Sequence, residues 1–280
     1  MSLISRPPFR YRLASLLARR GLQPLWQRLN DLSYWGLGYN NWISQLNGED
    51  RFAAGWAQTH KGRPVIVFDI GANEGDFTGV LLPSLPQAEF HLFEPNPPTF
   101  ARLKSRYGEH SRIHLNACGV GDKPGKAILY DFKSGKGSER ASLIAETFST
   151  ILHHDSSNLH AAEVPVATLD DYCRDRGIGH IHFLKIDTEG FERFVLEGAS
   201  ECLQQGRVDI IQLEMNEQNV ISAFSLHALT QMLPDYDIYR ILPGSLAAMV
   251  TRNAPYQARF DVPKYANLVL ARRGASAPEP

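Results

Sequence analysis

Apolar residues along this chain recur in two rhythms. Val65-Ile66-Val67-Phe68 is a short continuous apolar run, β-branched and cut off by Asp69-Ile70-Gly71. That is how a strand buried on both faces reads. Phe77, Val80 and Leu81 then follow at helical spacing. The pattern repeats: a strand over 89–93, a helix over 100–107, a strand over 113–116 and an extra strand over 127–132. Residues 134–160 are weakly periodic and bear Gly, Ser and His, which reads as a loop or lid with some helix. A helix is predicted over 169–176 with Thr168 as its N-cap, followed by a strand over 181–186. Phe191, Phe194, Val195 and Ala199 predict a helix ending near Gly206. A strand over 208–213, a helix opening at Ser225, and strands over 236–242 and 267–271 complete the chain. Strands alternating with helices predict a parallel α/β sheet covered on both faces. In such a sheet the ligand sits beyond the carboxyl ends of the strands.

The first thirty residues behave differently. They hold six arginines (Arg6, Arg10, Arg12, Arg19, Arg20 and Arg28) and no acidic residue. Leu13, Leu16 and Leu17 fit one helical face, and Leu22, Leu25, Trp26 and Leu29 another, with Pro24 near its start. A basic amphipathic segment of this kind packs on the main domain, lies on an anionic membrane or a partner, or serves in targeting. Packing on the domain is the first expectation, because Trp26 and Leu29 run into an aromatic stretch over 31–62. That stretch carries three of the four tryptophans. It reads as a helical cap plugged onto the core, or as a wall for a flat ligand such as a sugar. The expected division is therefore a basic, aromatic helical extension over 1–62, a main domain over 63–273 and a disordered tail over 274–280.

Composition narrows the class. Hydrophobic residues make up 43% and charged residues 21%, an ordinary folded-domain balance that excludes disordered and fibrous classes. The net charge of −1 offers no global field for nucleic acid, so no nucleic-acid partner is expected. Cys118, Cys173 and Cys202 are sparse and form no CxxC pair, which argues against a disulfide framework or a zinc ribbon. No run of 18 apolar residues is present. The expected location is cytoplasmic, with peripheral membrane association through the N-terminus left open.

Chemistry belongs at the strand ends. After the first strand comes Asp69-Ile70-Gly71-Ala72-Asn73-Glu74-Gly75, a D-x-G-x-x-x-G turn. A pyrophosphate wants bare N–H groups and no nearby carboxylate; a carboxylate here suits a cationic ligand such as the amino group and sulfonium of S-adenosylmethionine. Gly71 lets the backbone approach that ligand. Glu94, after the second strand, is placed to accept two ribose hydroxyls. Asn116 and Ala117, after the third, suit an adenine edge. After the fourth comes Asp187-Thr188-Glu189-Gly190-Phe191-Glu192, three carboxylates within six residues, and after the fifth Glu214-Met215-Asn216. Glu189 and Glu192 also read as acids complementing a helix N-terminus.

Together these motifs resemble the FkbM family of S-adenosylmethionine-dependent methyltransferases. The carrying segments are Phe68-Asp69-Ile70-Gly71-Ala72-Asn73-Glu74-Gly75, Phe93-Glu94-Pro95-Asn96, Asn116-Ala117-Cys118-Gly119-Val120 and Leu184-Lys185-Ile186-Asp187-Thr188-Glu189-Gly190-Phe191-Glu192. The match runs over 65–214, and its last segment is the most specific. Thr188 stands where such proteins often have Val, and Cys118 where a second Ala is usual. The resemblance implies a Rossmann-like class I methyltransferase sheet, mostly parallel with an antiparallel last strand, plus an N-terminal helical cap. It implies methylation of a hydroxyl on a sugar, glycan or natural-product acceptor. S-adenosylmethionine is then expected at Asp69, Gly71, Ala72, Asn73, Gly75, Glu94, Asn116 and Ala117.

A sugar hydroxyl is a weak nucleophile, so a base is needed. Asp187 is the first candidate, as base or acceptor anchor, with Glu189 and Glu214 next. The same three carboxylates offer an oxygen-rich Mg²⁺ site as the alternative. In the lid-like segment, which also holds His160, His153-His154 offer a base delivered by the lid or read as solvated loop histidines; His180 and His182 enter the fourth strand, and His182 reads as a sheet histidine. The rival readings are an NAD-dependent oxidoreductase, which the glycine spacing does not favour, and a non-catalytic cofactor-binding module. An RNA methyltransferase is a third, but Asn96-Pro97-Pro98-Thr99 follows the second strand and not the fourth.

Overall fold

The computed structural model describes residues 8–132, 137–138, 141–151 and 159–275. In chain order α1 (Phe9–Leu17), α2 (Gln23–Gly36), α3 (Ser44–Asn47) and α4 (Glu49–Thr59) precede β1 (Ile66–Ile70). Then come α5 (Asp76–Leu81), β2 (Glu89–Phe93), α6 (Pro97–Tyr107), β3 (Ile113–Asn116), β4 (Gly119–Val120), β5 (Gly125–Phe132) and β6 (Leu159–Ala167). The second half contains α7 (Leu169–Arg176), β7 (Ile181–Ile186), α8 (Glu192–Glu197), α9 (Ser200–Gln204) and β8 (Val208–Met215). The chain closes with α10 (Leu226–Met232), β9 (Tyr236–Leu242), β10 (Ser245–Val250) and β11 (Ala266–Arg272).

The main sheet has eight strands in the order β10-β9-β11-β8-β7-β1-β2-β3. β3, β2, β1, β7 and β8 are parallel neighbours, whereas β11 runs antiparallel between β8 and β9. The expected Rossmann-like, mostly parallel sheet with an antiparallel last strand is therefore present. β1 sits at the reversal of strand order, with β2 and β7 on either side. That is where an open α/β sheet leaves a crevice above its carboxyl ends. The strands form as read because Val67, Phe68, Phe90, Leu92, Phe183 and Leu184 are buried from both faces. The helix starts also follow local chemistry. Thr168 accepts the Asp171 N–H (3.1 Å) at the head of α7, and Ser225 accepts the Ala228 N–H (3.2 Å) at the head of α10.

Four elements differ from the expectation. β6, inside the stretch left without a strand, is the centre of a second, three-stranded sheet of order β4-β6-β5. Its Ala-Ala-Glu-Val-Pro core has little alternation and a proline opposite Lys126, which hides it from a strand pattern. β10 pairs with β9 as a hairpin; its Leu-Ala-Ala-Met sequence carries no β-branched signal. β4 has only two residues. The single helix expected from Phe191 to Gly206 is broken into α8 and α9 around Gly198.

The N-terminal extension is not one unit. Phe52, Ala53, Trp56 and Ala57 of α4 are buried and belong to the core that includes Val67, Phe90 and Phe183. Tyr39 is buried as well, stacked on by Arg240 (4.2 Å to the ring centroid). These are the plugged aromatics of the cap. By contrast, every described side chain of α1 is exposed, and none of α2 is buried. The expectation that the basic segment buries its apolar stripes on the domain is not met. Residues 276–280 of the expected tail lie outside the described residues.

Candidate active site

A cleft of about 440 Å³ opens above the carboxyl ends of β1, β2, β7 and β8. It is lined by Ile70 and Gly71 after β1, Phe93 and Glu94 after β2, and Cys118 to Val120 after β3. Asp187, Thr188 and Glu189 follow β7, and Glu214, Asn216 and Gln218 follow β8. Strand geometry alone thus delivers six of the predicted residues, Gly71, Asn73, Glu94, Asp187, Glu189 and Glu214, to one wall system.

The turn after β1 is built for close approach. Gly71 has φ +78°, and a Cβ there would run into the Asp187 carbonyl oxygen. Asn73 also sits in the left-handed region at φ +49°, and its N–H donates to Glu94 Oε2 (2.9 Å). Glu94 Oε1 accepts the Asn96 N–H (2.8 Å). Each carboxylate oxygen keeps a lone pair for a further donor. Burial pushes the Glu94 carboxyl up to about 7, against the two backbone N–H bonds that stabilise its ionised form.

The other predicted cofactor residues stand behind this surface. Asp69 is fully buried; its Oδ2 accepts the Thr78 hydroxyl (2.9 Å), and it lies beneath the turn and not in the cleft wall. Burial raises its pKa while Lys185 opposes the rise. Asp69 therefore stands behind the cleft wall, where the sequence expectation was a direct contact with a cationic ligand. Ala72 is buried, Gly75 faces the Tyr107 ring, and Asn116 Nδ2 donates to the Leu92 and His114 carbonyls (3.0 and 3.2 Å). Ala117 stands next to Cys118, which does line the cleft and whose thiol is pushed up to about 11 by burial. With Val120, Leu143 and Phe191 it makes the β3 side of the cleft apolar, as a flat base requires.

The β7–β8 side is acidic and tightly organised. Glu192, fully buried, accepts the N–H groups of Thr188 (3.0 Å) and Gly190 (3.1 Å), the Thr188 hydroxyl (3.1 Å) and Asn219 Nδ2 (2.6 Å). It folds the loop and does not reach the cleft. That turn forces Glu189 into the left-handed region at φ +54° and aims it at the cleft, where Gln218 Nε2 donates to its Oε2. Asn216 Nδ2 donates to Glu214 Oε1 (2.7 Å). The Glu214 carboxyl is raised well above the usual carboxylate range, first by burial and then by Asp187 and Glu189.

Sequence reading gives no role to Lys185 or Glu49, and holds Trp42 only as one aromatic of a stretch that reads as a cap or a ligand wall. Lys185 is buried with Nζ 2.8 Å from Asp187 Oδ2 and 3.8 Å from Glu49 Oε1. Burial alone would lower its pKa, but Asp187, Glu49 and Asp69 hold it far above the usual lysine value. Glu49, from the head of α4, lines the cleft and accepts Gln212 Nε2 (2.8 Å) and Asn267 Nδ2 (3.2 Å). Trp42 lines it too, packed on Tyr265 at 4.4 Å between ring centroids. Lys185 stands inside the quoted motif, two residues before Asp187; nothing local marks Glu49, and Trp42 falls in the aromatic stretch read as a cap or as a wall for a flat ligand.

The Mg²⁺ alternative is not supported. Among the described residues, Asp187, Glu189 and Glu214 do not bring three oxygens within one ion's span; each instead holds a side-chain nitrogen. His153 and His154 lie outside the described residues. His160 is exposed on β6. His182 Nδ1 accepts the Ile66 N–H (3.0 Å), a sheet histidine as read, and His180 pairs with Asp209 (2.7 Å).

Residues 69–238 match the model of the methyltransferase FkbM domain. The chain belongs to the FkbM methyltransferase family. This FkbM methyltransferase is 26% identical over 64% of its length to the 2-O-methyltransferase NoeI of Sinorhizobium fredii, covering 74% of that protein. It is 29% identical over 49% of its length to the 31-O-demethyl-FK506 methyltransferase FkbM of Streptomyces tacrolimicus, covering 60% of that protein. Among solved structures, the precorrin-6y C5,15-methyltransferase of Geobacter metallireducens aligns over 81% of this chain and 88% of that one, at 10% identity and a TM-score of 0.38. The enzyme uses S-adenosylmethionine, and the cleft fits it: a turn that a Cβ at Gly71 would fill, a buried carboxylate with free lone pairs at Glu94, an apolar side for the base and an acidic side for the cation. The NAD-dependent oxidoreductase and the non-catalytic module are thereby set aside.

Proposed function

We propose that this methyltransferase methylates a hydroxyl of a sugar, glycan or natural-product acceptor, with Asp187 as base and Glu214 as the group that orients the acceptor. The observation that carries this reading is the placement of Asp187, Glu189 and Glu214 around one stretch of cleft beside the Gly71 turn. When bound, S-adenosylmethionine supplies an electrophilic methyl group. Glu94 would hold its ribose hydroxyls through hydrogen bonds, and the Gly71 turn would let the backbone come close to it. Asp187, steadied by Lys185 at 2.8 Å, takes the acceptor's proton as the oxygen attacks. Glu214, whose carboxyl is raised by burial and by the neighbouring Asp187 and Glu189, orients the acceptor through a hydrogen bond. The names of NoeI and FkbM, which describe methylation at oxygen, support the choice of a hydroxyl.

The test is mass spectrometry of the purified chain with methyl-labelled cofactor and a panel of sugars, glycans and hydroxylated natural products. Asp187→Asn is expected to lower turnover at saturating acceptor by about two to four orders of magnitude. Glu214→Gln keeps a hydrogen-bonding group in place and is expected to stay within about tenfold. Methyl transfer to nitrogen or sulfur acceptors alone, or near-normal turnover in Asp187→Asn, would sink the reading.

A further inference from the structure

Phe9, Leu13, Leu16 and Leu17 follow one another at i, i+4, i+7 and i+8 along α1. Leu25, Leu29 and Leu32 do the same at i, i+4 and i+7 along α2. Each set is a single stripe of a helix. A helix that belongs on its own domain turns such a stripe inward. Here both stripes face solvent: Phe9 is 79% exposed and Leu32 60%. The side of α2 that rests on the domain is the opposite one, through Tyr34, packed edge-on against Tyr39. Trp26 Nε1 donates to the Leu17 carbonyl (2.8 Å), tying the two helices together. The exposed apolar series then continues through Trp35, Leu37 and Ile43 to Trp42, which is 60% exposed and also lines the cleft.

Charge decides what covers this face. Six arginines and no carboxylate stand in the first thirty residues, and Arg10, Arg19, Arg20 and Arg28 are exposed. A second copy docked stripe to stripe would bring the same uncompensated cations together. An anionic lipid surface supplies acyl chains for the leucines and phosphates for the arginines, with tryptophan at the boundary. We propose that α1, α2 and the segment leading to Trp42 form a docking face for an anionic bilayer, which brings the mouth of the cleft to the lipid surface. This inference does not depend on which acceptor the enzyme methylates.

The experiment is co-sedimentation of the full chain with vesicles of phosphatidylcholine alone or mixed with phosphatidylglycerol, across a salt series, alongside sedimentation velocity without lipid. Binding to the anionic vesicles is expected to exceed binding to neutral ones by at least about tenfold, because the exposed arginines add an electrostatic attraction that neutral lipid does not offer. It is expected to weaken with salt, since screening acts over about 10 Å at 0.1 M. The Leu25→Glu/Leu29→Glu/Leu32→Glu variant should lose binding with unchanged melting temperature and cofactor affinity. Arg19→Glu/Arg20→Glu/Arg28→Glu should lose the preference for anionic lipid, and it keeps the test sharp if the leucine variant folds poorly. Three results would overturn the proposal: no sedimentation with anionic vesicles at low salt, equal binding to both vesicle types at every salt concentration, or a stable dimer that the leucine variant dissociates.

Discussion

At the scale of single residues, the cleft concentrates carboxyls whose charge depends on what is bound. Burial disfavours the Glu94 anion and pushes its carboxyl up to about 7. On the proposed ribose role, the hydroxyls would donate to the ionised form, so cofactor binding would require loss of a proton whenever the pH lies below that value. Cofactor affinity is therefore expected to fall by up to about tenfold per pH unit below 7 and to level off above it. Glu94→Gln should bind more weakly throughout and show a slope shallower by about one proton in calorimetric titrations. An unchanged slope would remove Glu94 from the ribose role. Lys185 poses the converse case, a buried cation between carboxylates. Lys185→Met leaves Asp69, Glu49 and Asp187 facing one another without compensation, and about 3–5 kcal/mol of stability should be lost in urea unfolding. A loss below about 1 kcal/mol would mean that the carboxylates simply take up protons.

At the scale of elements, the cap comes very close to the sheet at Gly48. Gly48 has φ +99°, and a Cβ there would collide with the Leu242 carbonyl oxygen at the end of β9. It lies between α3 and α4, so the backbone has little room to retreat. Gly48→Ala is expected to cost about 1–3 kcal/mol, read as a lower melting temperature, with Gly62→Ala as a control in open space at a similar φ. Equal shifts in the two variants would show conformational strain acting alone. Elements with a strong local signature were legible in the sequence: β2, β3, β7 and β9 lie where their apolar runs place them, and Thr168 and Ser225 cap α7 and α10. β6 and β10 were not, because alanines and a proline are held in the ladder by their neighbours and not by their own propensity. The site divides the same way. Residues that act from a strand end were readable, since the alternation of strand and helix fixes where those ends lie. Glu49 and Trp42 reach the cleft through the fold of the cap, and no local spacing reports that.

At the scale of the whole molecule, Glu49 has a practical consequence for anyone cutting the chain. The composition change near residue 62 invites a minimal catalytic fragment that begins at 63. Such a fragment would lack the carboxylate that receives the Gln212 and Asn267 side-chain amides and stands 3.8 Å from the Lys185 ammonium. It would also lay bare the apolar bed of Phe52 and Trp56. The fragment is expected to accumulate in inclusion bodies, whereas one starting at 38 should remain soluble and bind S-adenosylmethionine with the affinity of the full chain. The seam that matters for expression thus runs ahead of the cap, between a removable leash and a segment that completes the interior.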